Sequence, residues 1–238
     1  VGGQAVLGRQ PTQTTPWSQN DMATIRLRAG LVPGDGETHQ GVYDPGYFSQ
    51  IGIPTYSPAN YAELVYWLDL LVKEKRGPRA IRYARGEETP ALAALGCSGR
   101  LYDPILTHDG AKVALVSYGA ESEETLAAAD LLKQQGVLAD VWKLVQIFPL
   151  PDNLCEELGA YSTILFAEEA VRTGAIGQQL GFALQQRGWK GRYLLHAVDN
   201  THLLHANVPE LRRDQRLDAQ ALVASVQAAL DNGKAGTQ

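Results

Sequence analysis

From Lys112 onward the chain repeats one alternation of short apolar runs and amphipathic stretches. KVALVSYG, ESEETLAAADLLKQQG, VLADVWKL and STILFAE follow in order, then a helical pattern over Gly177 to Arg187, RYLLHAV, and a closing helical pattern from Asp218 to Leu230. Parallel strands need a crossover between neighbours, usually a helix, and a strand buried on both faces reads as a continuous apolar run. The spacing therefore predicts an α/β fold with a mainly parallel sheet covered on both sides. An apolar loop is expected around Phe148 and Pro149, and no internal repeat occurs at a fixed period.

The first half is less regular. Residues 1–22 are rich in Gly, Gln, Thr and Pro without helical or strand periodicity and are read as an irregular segment. ATIRLRA, Ala23 to Ala29, alternates like a half-exposed strand, and an apolar stretch runs from Ile51 to Tyr56. Ser57 and Pro58 then form a helix start, and NYAELVYWLDLLVKEK carries apolar residues at helical spacing, with Trp67, Leu68 and Leu71 directed to a core or an interface and an end at Gly77. Ala80 to Tyr83 reads as a brief strand. Arg85 to about Gly110 mixes Gly, Pro and charge without a period, so 91–110 is expected to link a unit over 23–90 to one over 111–238.

Composition excludes several classes. A net charge of -5 without a basic face argues against nucleic acid, and 45% apolar residues suffice for ordinary cores. No apolar run approaches the roughly 20 residues of a membrane span. Cys97 and Cys155 lie far apart with no metal-ligand spacing, which predicts neither a disulfide framework nor a zinc site and fits a reducing cytoplasm. His202 and His205 lack a third ligand, so a surface or packing role is expected.

Chemistry-bearing residues concentrate in RAGLVPGDGETHQGVYD, Arg28 to Asp44. Its glycines permit tight turns and close backbone approach. Asp35 and His39 lie four apart, so a turn between them brings a carboxylate and a proton carrier to one small volume, and Arg28 offers a fork of donors for phosphate or carboxylate. The same residues equally suit a turn cap, a backbone-bonded imidazole and a solvated strand arginine. Gly34, Asp35 and Gly36 followed by Asn60 imitate a GDG…N magnesium signature, but Asn60 sits in SPAN at a helix start, where capping is the ordinary role. Glu168 and Glu169 open the turn EEAVRTGAIG at the carboxyl end of a strand and are expected to pair with Arg172 or with another subunit, while the glycines permit close packing.

RAGLVPGDGETHQGVYD, followed by SPAN, a helix and RYARG, resembles the corresponding stretch of the 1-deoxy-D-xylulose-5-phosphate synthases, thiamine-diphosphate enzymes of the transketolase superfamily. SYGAESEETLAAADLL, FAEEAVRTGAIGQQLG and the region from Val198 through the last helix resemble that family's C-terminal domain. The resemblance implies a partial transketolase-like pyrimidine-binding domain followed by a Rossmann-like C-terminal domain. It also implies condensation of pyruvate with glyceraldehyde 3-phosphate, with loss of carbon dioxide, in isoprenoid precursor and cofactor biosynthesis. By resemblance His39 assists proton transfer near the cofactor, Asp35 reaches a substrate hydroxyl, and Arg28 and Arg85 hold the acceptor phosphate. Arg82 is expected to turn away from Tyr83, toward packing or a salt bridge.

Two departures bear on activity. A stretch reading like AEQHA, which carries the family's cofactor-activating carboxylate, has no counterpart in the 238 residues, nor does the domain that holds magnesium and the diphosphate. Leu27 stands where the family commonly has an acidic residue. The chain alone is therefore expected to bind neither thiamine diphosphate nor magnesium and to be inactive. Three readings stay open: the C-terminal part of a synthase, a small subunit completing a site with a separate thiamine-binding chain, and a non-catalytic ligand- or protein-binding relative. The irregular N-terminus favours the first. The family's homodimers imply self-association or a missing N-terminal domain or chain.

Overall fold

The computed structural model describes residues 4–7, 23–27, 29–32, 39–73, 77–199, 203 and 205–235. In chain order the elements are β1 (Gln4–Leu7), β2 (Ala23–Leu27), α1 (Asp44–Gln50), β3 (Thr55–Tyr56), α2 (Tyr61–Lys73), β4 (Arg79–Tyr83), α3 (Pro90–Ala93), β5 (Tyr102–Leu106) and β6 (Val113–Tyr118). They continue with α4 (Ser122–Gln134), β7 (Ala139–Leu144), β8 (Gln146–Phe148), α5 (Leu154–Leu158), β9 (Thr163–Val171), α6 (Ile176–Gln186), β10 (Arg192–Val198), α7 (Val208–Asp214) and α8 (Ala219–Ala235).

The elements form two sheets. One has the order β10-β9-β6-β7-β5, parallel except for β5, which runs antiparallel to β7. Its strands are apolar because both faces are covered. Leu115, Val141 and Leu165 pack beneath Leu132 of α4 and Leu222 and Val226 of α8. Val116, Leu144 and Phe166 pack beneath Leu154 of α5 and Leu180 and Leu184 of α6. The predicted α/β architecture with a mainly parallel sheet is present. Because β7 and β9 lie on opposite sides of β6, their connections leave in opposite directions, and this opens a crevice at the carboxyl ends of β6 and β9.

The other sheet has the order β1-β2-β4-β3-β8, with β2, β4 and β3 parallel. Trp67 and Leu71 of α2 cover it together with Ile81 and Val145, in the core role their spacing predicted. The helix begins at Tyr61, three residues later than Pro58, because Asn60 caps it: Glu63 N–H donates to Asn60 Oδ1 at 2.9 Å.

Several segments read as irregular carry structure. Gln4–Leu7 pairs antiparallel with β2, inside the segment read as irregular. Gln146–Phe148, expected as a loop, pairs antiparallel with β3, so a strand from the second half closes the first sheet. Within 91–110, Tyr102–Leu106 forms the edge strand beside β7. Both cysteines are free thiols, Cys97 exposed and Cys155 buried. Among the described residues no helix is long and apolar enough to cross a membrane.

Candidate functional site

The carboxyl ends of β4, β6 and β9 converge on the neck of the glycine-rich loop. Gly30 and Gly41 form an isolated antiparallel bridge, with Gly30 N–H donating to Gly41 O at 3.1 Å and Gly41 N–H to Gly30 O at 2.9 Å. Residues 31–40 therefore leave and return through one closed neck. Gln40 braces it: Val32 N–H donates to Gln40 Oε1 at 2.8 Å, and Gln40 Nε2 donates to Val32 O at 2.9 Å. Gly30 has φ +76°, and a Cβ there would collide with Glu169 Oε2, so glycine is required both for conformation and for space.

Of the four residues singled out for substrate chemistry, Arg28 and Asp35 lie outside the described residues, as does His202. His39 is half-buried, two residues before the neck closes, and Arg85 is exposed, two residues beyond β4. His205 is exposed.

Arg82, expected to settle into packing or a salt bridge, takes a more pointed position. It turns away from Tyr83, is 2% exposed and forms no ion pair among the described residues. Its guanidinium lies 5.3 Å from the centre of the Tyr118 ring. Nη1 donates to Ser57 Oγ at 3.5 Å, Nη2 to Gly41 O at 3.3 Å, and Nε has no partner. These are long bonds for a charged donor. Arg82 lines a small recess, with about the space of one water molecule, together with Gly30, Ser57, Tyr118, Gly119 and Glu169. A neighbouring open cleft of about 60 Å³, sharing Ala84 and Ala120 with the recess, is bounded by Asn60, Tyr61, Glu87 and Glu88.

The two glutamates differ from their expected role. They lie within β9 rather than in a turn, and strand alternation sends them to opposite faces. Arg172 is occupied elsewhere, with Nε 2.5 Å from Asp199 Oδ1. Glu168 accepts from Tyr118 Oη at 2.6 Å and from Gly177 N–H at 2.9 Å. Burial pushes its carboxyl up to about 7, against the lowering effect of those two bonds and of Arg82. Burial likewise holds the Tyr118 hydroxyl well above its ordinary value. A Cβ at Gly177 would crowd Phe166 and Leu195, so the glycine does permit close packing.

Glu169 pairs instead with Arg212 of α7, whose Nε donates to Glu169 Oε1 at 2.9 Å. Arg212 Nη1 also reaches Glu124 at 3.0 Å, and Glu121 and Glu123 stand 3.6 and 3.7 Å from the guanidinium. Both carboxylate oxygens of Glu121 are buried without a hydrogen-bond partner, and burial holds this acid well above the ordinary carboxylate range, with Arg212 opposing. None of these partners was visible in the sequence, because α7 approaches β9 from 43 residues away. The clue that was available is a GAE sequence directly after a buried strand, where a charged residue is out of place.

The magnesium reading of GDG…N finds no fit at Asn60. Its oxygen caps α2, and its amide donates to Leu92 O at 3.0 Å and Gly96 O at 2.8 Å. Among the described residues no group of three His, Cys, Asp or Glu side chains is arranged to hold a metal. The arrangement instead offers a buried cation, the Ser57 and Tyr118 hydroxyls, the Glu169 carboxylate and strand-end glycines around a small polar recess.

Residues 105–222 match the family described as the transketolase C-terminal domain. The 1-deoxy-D-xylulose-5-phosphate synthase of Magnetococcus marinus is 29% identical over 213 residues, spanning 85% of this chain and 33% of that protein. The Rhodococcus jostii synthase is 28% identical over 218 residues, with 87% and 33% covered. The chain thus spans about a third of the length of the curated relatives it matches. Among solved structures, a split-gene transketolase in an inactive beta4 tetramer superposes with a TM-score of 0.73 at 21% identity, covering 87% of this chain and 66% of that one. A transketolase variant from Pichia stipitis gives 0.69 at 15% identity, covering 89% and 30%. Residues 105–222 thus match the transketolase C-terminal domain, and over most of its length the chain is similar to about a third of the length of the 1-deoxy-D-xylulose-5-phosphate synthases, consistent with a C-terminal portion of such a protein.

Proposed function

We propose that this chain supplies the acceptor-substrate side of a 1-deoxy-D-xylulose-5-phosphate synthase active site, where pyruvate loses carbon dioxide and its remaining two carbons join glyceraldehyde 3-phosphate. The observation that carries this reading is Arg82, a buried guanidinium with no ion pair among the described residues, lining the recess beside the loop neck. A buried charge costs several kcal/mol unless an anion meets it. The phosphate of a sugar-phosphate acceptor is such an anion, and Ser57 and the Gly30 and Gly119 backbone line the recess beside the guanidinium. In this reading Arg28 and Arg85 join Arg82 at the phosphate, Asp35 takes a hydroxyl of the acceptor, and His39 carries protons at the reacting end. Thiamine diphosphate and magnesium serve the family's chemistry. The reading assigns their site to another part of the polypeptide or to another chain.

The likeness to a split-gene transketolase favours a second reading, in which the chain is a small subunit working with a separate cofactor-binding chain. Both readings expect the purified 238-residue chain, given thiamine diphosphate, magnesium and pyruvate, to release no carbon dioxide. Turnover by the chain alone would overturn them. Mixing with a protein that carries the cofactor domain separates them: activity restored in trans supports the subunit, and activity only from a continuous polypeptide supports the synthase part.

A further inference from the structure

Both ends of the glycine-rich excursion rest on one strand. Leu31 N–H donates to Glu169 Oε2 at 3.0 Å, and Val171 N–H donates to Val42 O at 2.9 Å, so β9 holds the loop at its departure and at its return. Glu169 is 6% exposed, and its other oxygen is gripped by Arg212, whose Nη2 lies 2.8 Å away and whose Nε donates at 2.9 Å. Arg212 is itself 6% exposed and fixed at its far side, with Nη1 on Glu124 Oε1 at 3.0 Å and Nη2 on Ala120 O at 3.2 Å. The result is a continuous strut from α7 and the start of α4, through one buried carboxylate, to the first amide of the loop.

We propose that Arg212 and Glu169 are positioning residues that fix the neck of the loop carrying Asp35 and His39, so that α7 governs the geometry of a site it does not touch. The proposal rests on the synthase reading only for what the loop does; the strut stands without it. Two features separate this from ordinary fold glue. Gly30 adopts a left-handed φ and leaves no room for a Cβ, so the backbone is shaped around Glu169 Oε2. Four carboxylates, Glu121, Glu123, Glu124 and Glu169, stand within 4 Å of the single guanidinium, so its loss leaves Glu169 among like charges and frees it to take up a proton or swing away from Leu31. Asp218 acts on Glu121 at longer range, and Arg82 lines the same recess as Glu169.

Hydrogen exchange on the whole chain tests the strut without substrate. Arg212→Met should speed exchange of amides in 29–32 and 39–42 about tenfold while β6 and β7 hold their wild-type rates, because a local opening exposes the neck alone. Arg212→Lys, which keeps a cation but loses the fork, should recover part of that protection and carries the comparison if the Met variant does not fold. Glu169→Gln, isosteric and neutral, should speed the same amides. Unchanged exchange in 29–32 and 39–42, or faster exchange there only in step with β6 and β7, would overturn the assignment. The exchange experiment uses no substrate, so an Arg82 signal indifferent to glyceraldehyde 3-phosphate would count against the synthase reading and leave the strut standing.

Discussion

At the scale of single residues, function is expected to show as a conflict with stability. Arg82→Met removes a buried charge without breaking an ion pair, so unfolding free energy should hold or rise by about 1 kcal/mol, while any phosphate-dependent affinity disappears. Chemical denaturation beside a ligand titration checks both halves. Glu168 makes the opposite kind of prediction. Its proton is held from the ordinary 4.5 up to about 7, so the folded state binds it more tightly than the unfolded chain does. The resulting stabilisation is complete below pH 4.5 and is lost as pH rises through 7, amounting to roughly 3 kcal/mol. Glu168→Gln should flatten that part of the pH dependence in urea unfolding between pH 4.5 and 8, and an unaltered slope would show that the proton resides elsewhere. Of these two residues the sequence revealed only the location. RYARG and FAEEA mark strand ends, but whether an arginine pairs or faces a recess depends on what a distant strand brings opposite it, here Tyr118 and Glu168.

At the scale of elements, one buried ion pair joins the two sheets. Lys143 of β7 reaches Glu63 of α2, both 1% exposed, and Glu63 also accepts from Ala59 N–H at 2.9 Å. Lys143→Met strands a buried carboxylate and should cost about 3–5 kcal/mol, whereas adding Glu63→Gln should return much of it. A double-mutant cycle by denaturation measures the coupling, and additive losses would mean that the pair contributes nothing as a pair. Gly30→Ala should cost more than about 2 kcal/mol through its φ and its collision with Glu169, seen as a lowered melting temperature. The long elements were legible because their cause is local: VALVSY and TILFAEEAV are apolar runs of strand length, and α4 and α6 keep helical period. The three-residue β8 and the four-residue β1 were not, since such short strands exist only through partners far along the chain. Asn207 with Glu210 forms a capping box ahead of α7, a signal that was present in ANVPELRRD and passed over.

At the scale of the whole molecule, the parallel strands of both sheets point their ends at a common crevice, and the switch in strand order at β6 and β9 places Tyr118 and Glu169 around it. β8 carries the second half into the first sheet, and Arg212 carries α7 to the loop neck, so both halves of the chain build one site. The central claim is that this crevice receives the phosphate of an acceptor substrate at Arg82. Arginine side-chain nuclear magnetic resonance reads it most directly, because Arg82 Nε has no partner and its N–H signal responds to any anion that arrives. Titration with glyceraldehyde 3-phosphate should move the Arg82 signal, while glyceraldehyde at the same concentration leaves it in place. An Arg82 signal indifferent to both, or moved equally by both, would contradict the account.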